Sequence, residues 1–376
     1  MVLRRIARRT RNRGIVALVL AGVTVLSTAC GGASGGNADS KVGGGELPTS
    51  GTVQFFGQSR ENPYFGLNVD GAKSVADKHG WDVKYVESTS QEEQDAAIHQ
   101  MLVQGEMPLG VILNPISGQA AIASEQAIKA AGIPLVIINQ VPAPNQKDLF
   151  DAYAGVNDLG SGQTAAQLLI AGAKKAGITV GDGLIVNTVA GHTAAQDRVK
   201  GFMAELEKET PSSKVLDDVT SGGFLEAEGY SIGSQVIPAN KGKINWVYGV
   251  NDALALGAIR AAKENGLVPG KDVLFVGGTC MNSKTNKAVL DQELVGTAVQ
   301  SPFVEGASAM YALAAYIKTG KVADGEANLT ADAPPSIDGA PHKWNFMPNP
   351  KVDGTQESFD STKIWGMSAS ELCNYS

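Results

Sequence analysis

Four segments with helical spacing of apolar residues close on a glycine: Lys78-His79-Gly80, Ala130-Ala131-Gly132, Lys175-Ala176-Gly177 and Glu264-Asn265-Gly266. A glycine there suits the left-handed conformation that ends a helix, and an apolar strand follows each one. Val111-Ile112-Leu113 and Leu135-Val136-Ile137-Ile138 are unbroken apolar runs, the pattern of strands covered on both faces of a parallel sheet. Further strands are expected at Val53–Phe56, Leu184–Val189, Ile244–Tyr248, Val273–Val276 and Leu294–Val299. Strand and helix alternate too often for one compact sheet. The fold class is therefore α/β, with two doubly wound, Rossmann-like lobes.

The first thirty residues do not belong to that pattern. Met1–Arg13 carries six arginines and no acid, and Gly14–Leu26 is almost wholly apolar. This run is too short to span a bilayer comfortably and matches the apolar core of an export signal. Ser27, Thr28 and Ala29 then lead to Cys30, an arrangement that resembles a bacterial lipoprotein signal. The expectation is a signal peptide over 1–29, lipidation of Cys30, and a Gly-rich flexible linker over 30–51. Ser27 stands where that signal usually has leucine. The GxSxG match at Gly32–Gly36 has no strand before it or helix after it, so it is no nucleophile elbow. Removing 1–29 takes Lys plus Arg from 31 to 25 against 38 acids, a net charge of -13. That balance excludes a nucleic-acid binder. The four histidines show no metal-ligand spacing and there is no CxxC, so neither a metal nor a cofactor is expected.

In open parallel sheets, ligands bind beyond the carboxyl ends of the strands. Gln58 to Phe65, Asn139-Gln140, Gly191 to Arg198, Phe224, Asn251-Asp252, Thr279 and Gln300 occupy those positions here. Amides and hydroxyls dominate, with one arginine and three aromatics. No acid/base pair or phosphate cradle is present. Groups that both donate and accept suit a ligand rich in hydroxyls, and aromatic faces suit its C–H surfaces. Asp252 is expected to cap the following helix and Asn251 to face the ligand. His192 reads as a solvated loop residue.

Three segments give the chain a family likeness: Asn62-Pro63-Tyr64-Phe65, Gly191–Arg198 with Gly201-Phe202, and Asn251–Ala258. Over about residues 52–325 the chain resembles the type I periplasmic sugar-binding proteins, on the ribose-binding branch. The resemblance implies a three-strand hinge with crossings near Gly155-Val156, near Gln300-Ser301 and in the 330s to 340s. The lobes would then be 52–155 plus 301–335, and 156–300 plus 336–376. It also implies ligand contacts from Gln58, Asn62, Tyr64, Phe65, Asn139, Gln140, Arg198, Phe224, Asn251, Thr279 and Gln300. The implied role is solute receptor of an ABC importer, monomeric, docking on permease subunits and held to the outer face of the membrane by its lipid.

Two departures bear on the ligand. Asn139-Gln140 stand where the ribose binder has Asp-Arg, and Thr279 stands where it has Asp. Charge-assisted bonds are the stronger kind, and three are lost. The expected ligand is therefore a neutral sugar alcohol of four or five carbons, such as threitol or xylitol, with a pentose as the alternative. A ligand-presenting sensor for a membrane receptor would have the same sequence, and an exported enzyme using Cys280 is the third reading. A sugar-responsive repressor is discarded, because a signal and linker stand where its DNA-binding helices would be. With Cys30 lipidated, Cys280 and Cys373 form an even pair and are expected to be bonded. The tail from Asp332 carries Trp344, Phe346, Phe359 and Trp365, so it is expected to pack on the body. Asp324, Glu326, Asn328, Thr330 and Asp332 alternate faintly like a calcium loop but lack its glycine and distal glutamate.

Overall fold

The computed structural model describes residues 42–279 and 282–374. The expected signal peptide, Cys30, most of the expected linker and Cys280 lie outside the described residues. The chain opens with β1 (Gly51–Gln58), α1 (Pro63–Ala76), β2 (Trp81–Ser88), α2 (Gln91–Val103), β3 (Gly110–Leu113), α3 (Ile122–Ala130), β4 (Leu135–Ile138) and β5 (Ala152–Gly155). It continues through α4 (Asp158–Ala176), β6 (Gly183–Asn187), α5 (Thr193–Glu209), β7 (Val215–Thr220), α6 (Glu226–Ala239) and β8 (Trp246–Gly249). Next come α7 (Asp252–Glu264), β9 (Leu274–Val276), α8 (Ser283–Leu290) and β10 (Gly296–Ala298). The return runs through α9 (Pro302–Thr319), β11 (Ala323–Asn328), β12 (His342–Phe346), β13 (Lys351–Asp353), α10 (Gln356–Ser361) and α11 (Ala369–Leu372).

Two parallel sheets result. One has the order β11-β12-β5-β4-β3-β1-β2 and the other β7-β6-β8-β9. Their central strands are buried along their whole length, as the apolar runs require. Gly80, Gly132, Gly177 and Gly266 all have positive φ, between 70° and 73°, so the punctuation that predicts the alternation is physically present. The chain passes between the lobes at 156–157, at 299–301 and at 347–350. The last two passes are joined by Val299 N–H donating to the Pro350 carbonyl, and the Met347 N–H donates to the Gly155 carbonyl.

The tail corrects the expected boundaries. β12 pairs in parallel with both β5 and β11, so residues 336–346 belong with the first sheet rather than the second lobe. The third crossing falls at 347–350, at the far end of the expected 330s to 340s. The cause is Trp344, which packs against Phe150 and Tyr153 and docks this strand at a sheet edge. A run rich in Pro and Gly precedes it and hides the strand in the sequence. Beyond the crossing the tail does enter the second core, through Val352, Phe359, Ile364 and Leu372. Cys373 is disulfide-bonded.

Helix pairs pack through reciprocal glycines. A Cβ on Gly71 of α1 would overlap the Phe303 carbonyl of α9, and one on Gly306 of α9 would overlap the Asn68 carbonyl of α1. Gly162 of α4 meets the Arg198 carbonyl of α5 while Gly201 of α5 meets the Leu159 carbonyl of α4. Gly229 and Gly257 do the same for α6 and α7. Backbone cannot retreat as a flexible side chain can. Gly306→Ala is therefore expected to destabilise the fold by about 2 kcal/mol or more. Gly339→Ala, with open space around it, should leave the thermal midpoint unchanged. Equal midpoints for the two variants would refute the close-packing argument.

Candidate functional site

The carboxyl ends of both sheets face one cavity. Asn62, Tyr64 and Phe65 reach it from the start of α1, and Asn139 from the end of β4. Arg198 comes from α5, Phe224 from the loop after β7, Asn251 from the start of α7, Thr279 from the loop after β9 and Gln300 from the second crossing. Contacts between the lobes border this space. Thr193 Oγ1 donates to the Val141 carbonyl at 3.4 Å, and Ala253 packs on Tyr64 and Phe65.

Local structure aims each group. Asn62 caps α1, its Oδ1 accepting from the Tyr64 N–H at 3.0 Å. Asn251 caps α7 through the Leu254 N–H at 2.8 Å, and its Nδ2 donates to the Phe224 carbonyl at 3.0 Å. The cap is thus Asn251 rather than Asp252. Asp252 is buried beneath, accepting from Thr297 Oγ1, while its own N–H donates to Thr279 Oγ1 at 3.2 Å. Asn139 holds φ at 67°, a left-handed conformation for a non-glycine residue next to the cavity. Asparagine tolerates this strain better than most residues.

A hydrogen-bond relay backs the cavity. Arg198 Nε donates to Asp158 Oδ1 at 2.8 Å, one terminal N–H donates to the Val250 carbonyl at 3.1 Å, and the other terminal nitrogen donates to Gln300 Oε1 at 2.7 Å. Gln300 Nε2 donates to Tyr64 Oη at 2.6 Å, and the Tyr64 hydroxyl donates to Glu305 Oε2 at 2.8 Å. Asn68 Nδ2 donates to that same oxygen at 3.0 Å. Burial pushes the Glu305 carboxyl up to about 7 despite those two donors. Burial likewise raises Asp158 to about 6, outweighing the Arg198 charge beside it.

Three sequence expectations change. Gln140 is occupied elsewhere: its amide donates to the Pro115 and Ile116 carbonyls at 2.6 and 2.8 Å, and its Oε1 accepts from the Gly118 N–H at 3.3 Å. It braces the loop after β3 and does not line the cavity. Gln58 lies on an adjoining outer groove with Ser88 and Thr89, its amide 3.4 Å from Asn114 Oδ1 and from the Pro115 carbonyl. His192, read as solvated, is only 6% exposed and lines the cavity. Its Nδ1 accepts from the Ala195 N–H at 3.3 Å as the cap of α5, and its ring meets the Phe224 ring edge-on at 4.9 Å. Burial, with the Arg198 charge adding, lowers its pKa to about 3, so it is neutral. Its place just before α5 was the available signal, but Thr193 next to it is a commoner capping residue.

A bilobal α/β frame with a polar, aromatic-lined cleft between its sheets defines a solute-binding protein of the type I periplasmic fold. Residues 53–321 match the periplasmic binding protein domain, and the chain belongs to that family. It is 30% identical over 274 residues to the galactofuranose-binding protein of Escherichia coli strain K12, covering 72% of this chain and 83% of that one. It is 28% identical over 278 residues to the ribose import binding protein of Salmonella typhimurium strain LT2, covering 72% and 86%. Among solved structures, a galactofuranose-binding protein superposes with a TM-score of 0.70 at 23% identity, covering 82% of this chain and 95% of that one. The arabinose transporter component of Shewanella sp. ANA-3 gives 0.68 at 25% identity, covering 82% and 93%. The relatives are binding proteins of transport systems, not enzymes. Among the described residues no helix is long and apolar enough to cross a membrane.

Glu305→Gln tests the relay. The variant keeps an oxygen for Tyr64 but cannot ionise. The native carboxyl holds a proton that the unfolded chain, with a pKa near 4.5, has released. Wild-type stability therefore falls as pH rises from 4.5 to about 7. Asp158 acts in the same direction up to about 6 and is common to both proteins. The thermal midpoint of the variant minus that of wild type should widen across this window and then level off. A constant difference would mean that Glu305 does not titrate there.

Proposed function

We propose that this protein is the extracytoplasmic receptor of an ABC importer, anchored by a lipid on Cys30, that clamps a small neutral hydroxylated solute between its lobes. The solute is a sugar or sugar alcohol of four or five carbons. The observation that carries the reading is the shared cavity, to which the strand ends of both sheets and the second crossing all contribute side chains. A ligand there contacts both lobes at once, and only the closed form makes both sets of contacts. Binding therefore shifts the population toward the closed form. That form would dock on the permease subunits, with the receptor acting as a monomer. The printed names of the relatives support this class: galactofuranose, ribose and D-apiose are all small sugars. The neutral side chains Asn139 and Thr279 at the cavity support an uncharged solute.

A thermal-shift screen of tetritols, pentitols, aldopentoses and aldohexoses, with calorimetry on each hit, tests the reading. A ligand at a hundred times its Kd stabilises the native state by about 2.7 kcal/mol. Phe224→Ala should weaken the hit by about fivefold, since an aromatic face over a sugar ring contributes on the order of 1 kcal/mol. A hit whose affinity ignores Phe224 would place the site elsewhere, and no hit in the panel would overturn the solute class.

A further inference from the structure

We propose that the outer groove beside the cavity is a second subsite, one that holds a neutral glycosyl unit linked to the small solute. This rests on the solute-receptor reading above. The four- or five-carbon unit stays in the inner cavity, and the protein takes its glycosides as well as the free form.

The groove continues the cleft outward. One wall comes from the ends of β1, β2 and β3, and the other from the ends of β6 and β7. β2 and β7 are edge strands of their sheets, so the groove runs out at the sheet margins. Asn62, Phe65 and Phe224 line both the cavity and the groove, so the two spaces meet at these side chains. A sugar ring packed on Phe224 sits where a substituent can enter the groove. On the β4 side the lobes touch, through Thr193 Oγ1 and the Val141 carbonyl at 3.4 Å. Among the described residues no hydrogen bond or ion pair joins the lobes across the groove. It stays accessible while both lobes line the inner cavity.

Its walls hold groups that lack good partners. Gln58 is 8% exposed and Ser88 is 3% exposed. The Gln58 amide donates only through two long contacts of 3.4 Å. Among the described residues the Ser88 hydroxyl bonds to no protein atom. Polar groups this buried are normally hydrogen-bonded, so both are set for a partner that enters the groove. On the other wall Leu225 is 39% exposed and offers an apolar surface for C–H groups. An amide and a hydroxyl facing an apolar surface suit a second sugar unit, as in the inner cavity. Glu61 and Glu228 are the charged side chains among the lining residues, with no lysine or arginine. That sign repels a phosphate or uronate and leaves a neutral unit.

The test is calorimetry on the purified protein with three pairs of compounds: D-xylose and xylobiose, L-arabinose and arabinobiose, and erythritol and its glucoside. In at least one pair the glycoside is expected to bind at least about fivefold tighter than its free partner. Two variants assign that gain to the groove. A Cβ on Gly222 meets nothing within 4 Å, so the fold accommodates Gly222→Leu while its side chain narrows the groove. This variant should abolish the gain and leave the affinity for the free partner unchanged. Leu225→Ala removes apolar contact and should weaken the glycoside alone, by about threefold. Equal or weaker binding by all three glycosides, or a gain that both variants leave intact, would overturn this inference and leave the receptor reading standing on the free solutes. Failure of all six compounds, together with every sugar in the thermal screen, would overturn both.

Discussion

Asp158, Arg198, Gln300, Tyr64 and Glu305 form one buried chain of hydrogen bonds, and the rest of the site depends on it. Its members come from α4, α5, the second crossing, α1 and α9, so it joins both lobes through a hinge segment. Its direction is set by Arg198, which can only donate. Gln300 must therefore offer its oxygen to Arg198 and its nitrogen to Tyr64, and Tyr64 must give its proton to Glu305. Such a network is worth having only if complete, since each buried group loses water that its partner must replace. Burial raises the pKa of both end carboxyls, and the unpartnered Asp158 Oδ2 and Glu305 Oε1 are signs of that strain.

Glycine makes the relay reachable. Gly162 lies against the Arg198 carbonyl and Gly201 against the Leu159 carbonyl, so α4 and α5 touch backbone to backbone beside the Asp158–Arg198 ion pair. Gly71 and Gly306 bring α1 and α9 together beside Asn68 and Glu305. The two closest helix crossings thus flank the two ends of the relay. Longer side chains at these positions would part the helices. The short contacts to Asp158 and Glu305 would then open into gaps too small for well-bonded water.

Much of this was legible in the sequence because it depends on local rules. Parallel sheets follow from apolar runs behind helix-ending glycines, and the strand ends nominate Asn62, Tyr64, Phe65, Asn139, Arg198, Phe224, Asn251, Thr279 and Gln300, which all line the cavity. The misses are non-local. Gln140 sits at a strand end like the others, but its amide is claimed by carbonyls more than twenty residues earlier in the chain. Gln58 is displaced to the outer groove. β12 is recognisable only once Phe150 and Tyr153 are in place to receive Trp344. His192 looks like loop until the Phe224 loop closes over it.

The caps carry the deeper consequence. In this fold the helices begin where the ligand sits, so the residues that start them also face the ligand. A capping asparagine turns its oxygen toward the first N–H groups of its helix, as Asn62 and Asn251 do, and this fixes how its amide is presented to the cavity. His192 is fixed in the same way through its Nδ1 at the start of α5. Asn139, free of capping duty, is held instead by its left-handed backbone. The orientation of the polar groups around the ligand is thus set by the helix starts and strand ends that carry them.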